Sequence, residues 1–217
     1  MVSTYVKALV ITAVLFVGNF FLVKYVDDSR NADIAARLAA IDEEMQSSQV
    51  LLLYLQSTND SATACLALEA KAKEQISLLY GLAGQLESSE ASNMLGNISP
   101  LKRKFILSNT QLLLYVTQLQ AACGYSDMVP VLYFYPDREE GAACMECRAQ
   151  ADMLTAWRNE CKNVRVFAFP TNTDIAVLDI LKKKYGVANT PAVVVNDKLY
   201  SGLTPLDRLR EGTACTK

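Results

Sequence analysis

The sequence predicts an α/β domain with the element order βαβαββα, preceded by an N-terminal transmembrane helix and an all-α hairpin or small bundle. Three observations support this class: an uncharged apolar run near the N-terminus, helical periodicity with few prolines up to about residue 123, and short apolar runs that alternate with helical segments thereafter. The predicted divisions are an anchor over residues 1–27, a helical membrane-proximal region over 28–126 and the α/β domain over 127–217.

Composition excludes several classes of function. Of the 217 residues, 51% are hydrophobic and 20% charged, so the chain can bury a core. The net charge is −2, which provides no basic excess for nucleic acid. Histidine is absent, which excludes Ser-His and Cys-His nucleophile pairs and imidazole metal sites. The six cysteines are an even and high count, typical of exported proteins. We expect no bound cofactor and no metal.

The N-terminal run from Ala8 to Val23 carries no charge and is bounded by Lys7 and Lys24. A helix over residues 5–26 is long enough to span a bilayer if the two lysines snorkel. A buried helix and a cleaved signal peptide are the alternatives, but no small-residue cleavage site follows the run, which favours a retained anchor. Because the two lysines balance, the positive-inside rule does not set the orientation.

The helical region has three predicted helices, the first from about Ser29 to Gln56. If the second and third run antiparallel, Cys65 and Cys123 face each other at one end, since each lies 21 positions from the opposite end of its helix (86 − 65 and 123 − 102). We therefore predict a Cys65–Cys123 disulfide, with two buried free thiols as the alternative. The apolar stripes also fit partner binding or dimerisation, between which the sequence does not decide.

Strands and helices alternate in the C-terminal part. A CxxC pair, Cys144 and Cys147, opens the first helix directly after a strand and a polar loop. In order, the predicted elements are the strand Val129–Tyr135, a helix through about Glu160, the strand Val164–Phe169, the helix Asp174–Tyr185, the strands Ala192–Val195 and Lys198–Ser201, and the helix Pro205–Glu211.

Two motifs give this part its resemblance to a known family. The CxxC pair stands at a strand-to-helix junction, and the phrase Tyr185-Gly-Val-Ala-Asn-Thr-Pro-Ala-Val-Val194 precedes a β-hairpin. Together they resemble the thioredoxin superfamily over about residues 128–215. The resemblance implies a thioredoxin-like fold and thiol–disulfide exchange. A CxxC pair alone is equally compatible with half a zinc site.

The resemblance also implies roles for the site residues. Cys144, at a helix N-terminus that stabilises a thiolate, would attack a substrate disulfide, and Cys147 would resolve the mixed disulfide. Pro191 would be cis and lie against the CxxC pair, and the backbone of Thr190 would bind the substrate peptide. The alternative is a Cys144–Cys147 bridge that is only structural.

Three departures from the family pattern bear on redox properties. Ala143 stands where an aromatic residue often precedes the first cysteine, and Tyr133 occupies about the place of a buried acid. Glu146, inside the motif, opposes thiolate formation by its charge, which favours a mildly reducing or isomerase-like site over a strongly oxidising one.

Cys161 and Cys215 are the remaining cysteines. In the thioredoxin topology the CxxC helix and the last helix lie on one sheet face and end close together, so the resemblance implies a Cys161–Cys215 disulfide. Three pairs then account for all six cysteines, which favours an oxidising, extracytoplasmic location.

The resulting hypothesis is a single-pass membrane protein with its C-terminal domains outside the cytoplasm. It would act as a thiol–disulfide oxidoreductase, in an undetermined direction, on the thiols and disulfides of exported proteins. Family behaviour implies a membrane thiol oxidase or reductase as its redox partner, and residues 5–26 would contact lipid. The alternatives are a non-catalytic assembly or adaptor protein that binds a partner through its helices, and a metal-handling protein that uses the CxxC thiolates.

Overall fold

The computed structural model describes residues 4–57, 61–91, 99–125, 128–136 and 144–216. The helices and strands, numbered in chain order, are α1 (Thr4–Ser57), α2 (Ser61–Ala91), α3 (Ser99–Cys123), β1 (Val129–Tyr135), α4 (Met145–Glu160), β2 (Val164–Pro170), α5 (Ala176–Tyr185), β3 (Ala192–Val195), β4 (Lys198–Ser201) and α6 (Leu206–Leu209). The predicted α/β class and the order βαβαββα are confirmed over these residues.

The chain divides into two compact units, of which the first is Met1–Leu51. The two helices predicted over 5–26 and 29–56 form one continuous helix, α1, because the residues between them include no glycine or proline that would end it. Apolar side chains on α1 are exposed, with Phe16 at 77%. No helix in the described parts of the chain has both the length and the apolar character that a membrane crossing requires. The anchor over residues 5–26 stays a prediction.

The second unit, Leu52–Lys217, contains the end of α1 and then the antiparallel pair α2 and α3. Leu68 and Leu79 of α2 and Leu112 of α3 are buried in one apolar cluster. The buried Gln75 amide donates a hydrogen bond of 3.2 Å to the carbonyl of Ser108 across the pair. A disulfide joins Cys65 to Cys123 with 5.8 Å between their Cα atoms, which is the pairing that the helical register predicts.

A four-stranded sheet in the order β2-β1-β3-β4 forms the centre of this unit. β1 runs parallel to β2 and antiparallel to β3, and β4 returns antiparallel to β3. The β3–β4 hairpin turns at Asn196 and Asp197, which both have positive φ. Asparagine and aspartate tolerate this conformation better than other non-glycine residues, which fits a turn made of the two residues between the predicted strands Ala192–Val195 and Lys198–Ser201.

Both faces of the sheet are covered. On one face α2, α3 and α5 pack over apolar side chains that include Phe134 and Phe167, both fully buried. On the other face α4 and α6 pack through Trp157 and Leu209. The helical pair α2–α3 therefore shares one apolar core with the sheet. The compact unit Leu52–Lys217 extends across the domain boundary that the sequence predicts between residues 126 and 127.

Candidate functional site

The predicted redox pair lies where the chain passes from β1 into α4. Cys144 is the N-cap of α4, and its Sγ accepts a hydrogen bond of 3.2 Å from the backbone N–H of Cys147. The N–H groups of a first helical turn have no partner within the helix, so a sulfur at the N-cap occupies a position suited to negative charge. In the structure the two cysteines form a disulfide, with 5.2 Å between their Cα atoms.

The two cysteines differ in exposure. Cys147 is 6% exposed, whereas Cys144 is half-buried. The intervening Met145 and Glu146 are both exposed, Met145 at 83%. A reacting sulfur from another molecule therefore approaches Cys144 far more readily than Cys147. This is the difference that an attacking and a resolving cysteine require.

Tyr133 contacts the redox pair from β1. Its hydroxyl donates a hydrogen bond of 2.6 Å to the carbonyl of Cys147, and its ring stacks on Tyr135 at 5.3 Å between centroids. Burial, with a smaller contribution from Tyr135, raises the pKa of Tyr133 well above its usual range. Because the phenol stays neutral, Tyr133 is a hydrogen-bond donor beside the redox pair and carries no charge.

The predicted substrate-binding residues are connected to α4 by hydrogen bonds. The Thr190–Pro191 peptide bond is cis. The N–H of Gly202 donates to the carbonyl of Pro191 at 2.8 Å, and the hydroxyl of Thr204 donates to the carbonyl of Gly202 at 3.2 Å. The N–H of Thr204 in turn donates to Oε1 of Gln150 on α4 at 2.7 Å. These bonds fix the segment before β3 relative to the helix that carries the cysteines.

Gln150 is a site residue that the sequence analysis missed. It is fully buried, and its Nε2 has no hydrogen-bond partner among the described residues. The sequence did contain a signal for it, because Gln150 is the one polar residue in the apolar stripe of α4 and lies one turn after Cys147. The stripe consists of Cys147, Gln150, Leu154 and Trp157.

The opposite end of α4 carries the second disulfide of this domain. Cys161 is the C-cap, is 1% exposed and pairs with Cys215, as the resemblance implied, with 5.1 Å between their Cα atoms. The amide of Asn163 donates to the carbonyl of Ala214 at 2.7 Å and accepts from the N–H of Thr216 at 3.0 Å. The C-terminal segment is thus held by a covalent bond and by hydrogen bonds.

A cavity of about 600 Å³ opens beside the redox pair at the β2 edge of the sheet. One side is formed by α4 and its N-cap, which together carry the two cysteines, and the other by α2 and α3. Among the described residues, the lining is mainly apolar and aromatic, and its charged side chains are Arg148, Asp152, Arg158 and Arg165. Thr190 and Pro191 are not among the lining residues, so the cavity and the Thr190–Pro191 segment are separate features.

Within the described ranges, no group of three or more cysteine and carboxylate side chains is arranged to hold a metal ion. Comparison with known proteins gives no match: no family model fits the chain, and no curated protein or solved structure is significantly similar to it.

Proposed function

We propose that this protein is a thiol–disulfide oxidoreductase with a thioredoxin-like C-terminal domain, in which Cys144 and Cys147 are the redox pair. The observation that carries the proposal is the position of Cys144, a half-buried N-cap residue whose sulfur accepts a backbone N–H and borders an open cavity. A sulfur in these surroundings is stabilised as a thiolate and is accessible, which are the two requirements for attack on a disulfide.

The chemistry is a two-step exchange. In the reduced protein, the Cys144 thiolate attacks one sulfur of a substrate disulfide and releases the other as a thiolate. The Cys147 thiolate then attacks Sγ of Cys144, which releases the second substrate sulfur and re-forms the Cys144–Cys147 bond. The substrate gains two electrons, which the dithiol loses. The reverse sequence introduces a disulfide into a substrate dithiol.

The thioredoxin-like assignment is supported by the element order and by the sheet order β2-β1-β3-β4, in which a parallel pair is followed by an antiparallel hairpin. In the proposed site, the backbone of Thr190 and the ring of Pro191 bind the substrate peptide. The hydrogen bonds through Gly202, Thr204 and Gln150 support this part of the proposal, because they hold the Thr190–Pro191 segment at a fixed position relative to α4.

The proposal includes a membrane location. Residues 5–26 act as a single-pass anchor, supported by the uncharged run from Ala8 to Val23 and by exposed apolar side chains along this part of α1. The domains that follow lie outside the cytoplasm, since all six cysteines are paired, as is common in oxidising compartments. Exported proteins are the substrates, and a membrane thiol oxidase or reductase exchanges electrons with the pair.

The test is mass-spectrometric thiol mapping of the full chain in detergent micelles, equilibrated in graded glutathione buffers. We expect Cys144–Cys147 to titrate reversibly with a midpoint between about −270 and −120 mV, the range of exchange enzymes. The other two pairs should stay oxidised down to about −300 mV and serve as internal controls. A Cys144–Cys147 pair that resists reduction as strongly as the other two is structural, and the adaptor function then replaces this proposal.

A further inference from the structure

We propose that the cavity at the β2 edge binds an extended segment of the polypeptide substrate, one that carries apolar side chains and carboxylates next to its reactive cysteine. This inference rests on the proposed function and specifies the substrate class of the same site. Three observations carry it: the cavity's continuity with the redox pair, its apolar lining beside an edge strand, and the charge of its lining.

The cavity is continuous with the reacting sulfurs, because Cys144 and Cys147 form part of its wall. A polypeptide in mixed disulfide with Cys144 has its neighbouring residues within a few ångströms of that wall. The Thr190–Pro191 segment provides one direction for the bound chain to leave the sulfur, and the cavity provides a second. Residues on both sides of the substrate cysteine are then in contact with the protein.

The lining suits apolar side chains. Tyr133 and Val166 line it from the sheet, and Leu79 and Phe105 line it from the helical pair. A volume of about 600 Å³ lies within the range of small-ligand pockets and is sufficient for a few side chains of a peptide. The edge position of β2 favours an extended occupant, since a segment beside an edge strand can add main-chain hydrogen bonds. One acceptor of that strand, the carbonyl of Ala168, is already occupied by the amide of Asn109 at 3.2 Å.

The charge of the lining selects carboxylates. Among the described lining residues, three are arginines, Arg148, Arg158 and Arg165, and one is an acid, Asp152. None of the three arginines forms an ion pair within the described residues. The guanidinium of Arg165 donates to the hydroxyl of Tyr80 at 3.1 Å and lies over its ring, and this neutral partner leaves the charge uncompensated. The whole chain has a net charge of −2, so the positive excess is a local property of the described lining.

The experiment compares two peptides on the full chain in detergent micelles, with the Cys144–Cys147 pair reduced. Both carry one cysteine as a mixed disulfide with 2-mercaptoethanol, flanked by leucine and phenylalanine, and they differ only in two aspartates or two lysines. We expect the acidic peptide to react with Cys144 about tenfold faster, the sum of several exposed charge pairs. Because the ratio is taken within one protein, changes in the intrinsic reactivity of Cys144 cancel.

Two variants test the location. Arg158→Glu should lower the ratio of acidic to basic peptide at least about threefold, whereas Lys183→Glu, the same charge change on an exposed face of α5, should leave it unchanged. Ala83→Trp, which fills the α2 side of the cavity, should slow both peptides but not the small neutral bis(2-hydroxyethyl) disulfide. Retention of the Cys65–Cys123 bridge and of the circular dichroism spectrum checks the fold. Because Arg158 is exposed, Arg158→Glu should fold normally, and the comparison of the two charge variants stands even if Ala83→Trp does not fold.

Two results would overturn the inference. The first is a ratio of acidic to basic peptide rates near one in the wild-type protein, or equal ratios in Arg158→Glu and Lys183→Glu. Either result shows that the cavity does not bind the substrate as proposed. If the wild-type protein still reduces bis(2-hydroxyethyl) disulfide, the proposed function stands. A wild-type protein that does not reduce bis(2-hydroxyethyl) disulfide contradicts the proposed function itself, and this inference with it.

Discussion

Helix α4 carries a disulfide at each end, and the two ends show how surroundings determine what the same bond can do. At the N-terminal end, Cys144 is half-buried, its sulfur accepts a backbone N–H, and an open cavity adjoins it. At the C-terminal end, Cys161 is 1% exposed and the segment that bears Cys215 is held by Asn163. The helix dipole favours a thiolate at the first end and disfavours it at the second.

The two disulfides of α4 also close loops of very different length, which suits them to different roles. The N-terminal bridge closes a loop with a sequence separation of only 3, so it restrains the unfolded chain little. The C-terminal bridge has a sequence separation of 54 and attaches the end of the chain to the domain. We therefore expect the first bridge to matter for exchange and the second for stability, and the following variants test that division in order of decreasing effect.

The largest expected effect is the loss of exchange in Cys144→Ser, because the serine hydroxyl does not replace a thiolate nucleophile. Reduction of bis(2-hydroxyethyl) disulfide should fall to the background rate. Cys147→Ser should instead accumulate a mixed disulfide on Cys144, visible by mass spectrometry. The double variant Cys161→Ala/Cys215→Ala should exchange within about twofold of the unchanged protein, since neither residue lies at the proposed site. Exchange that survives in Cys144→Ser contradicts the assignment of the attacking cysteine.

The second effect is on stability. Cys161→Ala/Cys215→Ala should lower the free energy of unfolding by about 2–4 kcal/mol, because it releases a long loop in the unfolded chain. Denaturant titration of the second unit's transition, followed by Trp157 fluorescence, measures it. The matched control is Cys144→Ala/Cys147→Ala, which opens a far smaller loop and should cost much less. If the two double variants lose the same free energy of unfolding, the Cys161–Cys215 bridge has no special role in stability.

The third effect isolates the hydrogen bonds at the C-terminal end. Asn163→Ala removes the amide that bonds Ala214 and Thr216, and should lower the free energy of unfolding by about 1–2 kcal/mol with the Cys161–Cys215 bridge intact. Asn159→Ala, at an exposed position of α4, should leave stability unchanged or raise it slightly, since alanine is the better helix former. If Asn163→Ala behaves like Asn159→Ala, the bridge alone holds the C-terminal segment.

The smallest effect concerns the N-terminal end. Tyr133→Phe removes the hydroxyl that donates to the carbonyl of Cys147 and should lower the free energy of unfolding by about 1 kcal/mol. Tyr185→Phe, on α5, is the control and should change it by less than about 0.5 kcal/mol. Chemical denaturation of both variants at one pH measures the difference. A loss no greater than that of the control would show that this hydrogen bond adds nothing to stability.

Much of this arrangement could be predicted from the sequence. The strands β1, β3 and β4 have the predicted bounds, because short apolar runs between turn residues specify strands locally. The Cys65–Cys123 pair followed from helical register alone, since two antiparallel helices of similar length place such residues at one end. The continuity of α1 was missed because the change from apolar to charged composition near residue 27 suggested a boundary, while helix propensity does not change there.

The sequence by itself determined the elements and their apolar faces, because periodicity and turn chemistry act between residues close in the chain. Only the tertiary structure decided what each face covers. The apolar stripes on α2 and α3 indicated that these helices are buried on one side, but not which element covers them. In the structure they pack on the four-stranded sheet. The hydrogen bond from Thr204 to Gln150 joins residues 54 positions apart, and the cavity beside Cys144 exists only where α2, β2 and α4 meet. Such features depend on how elements pack against one another, which no local pattern records.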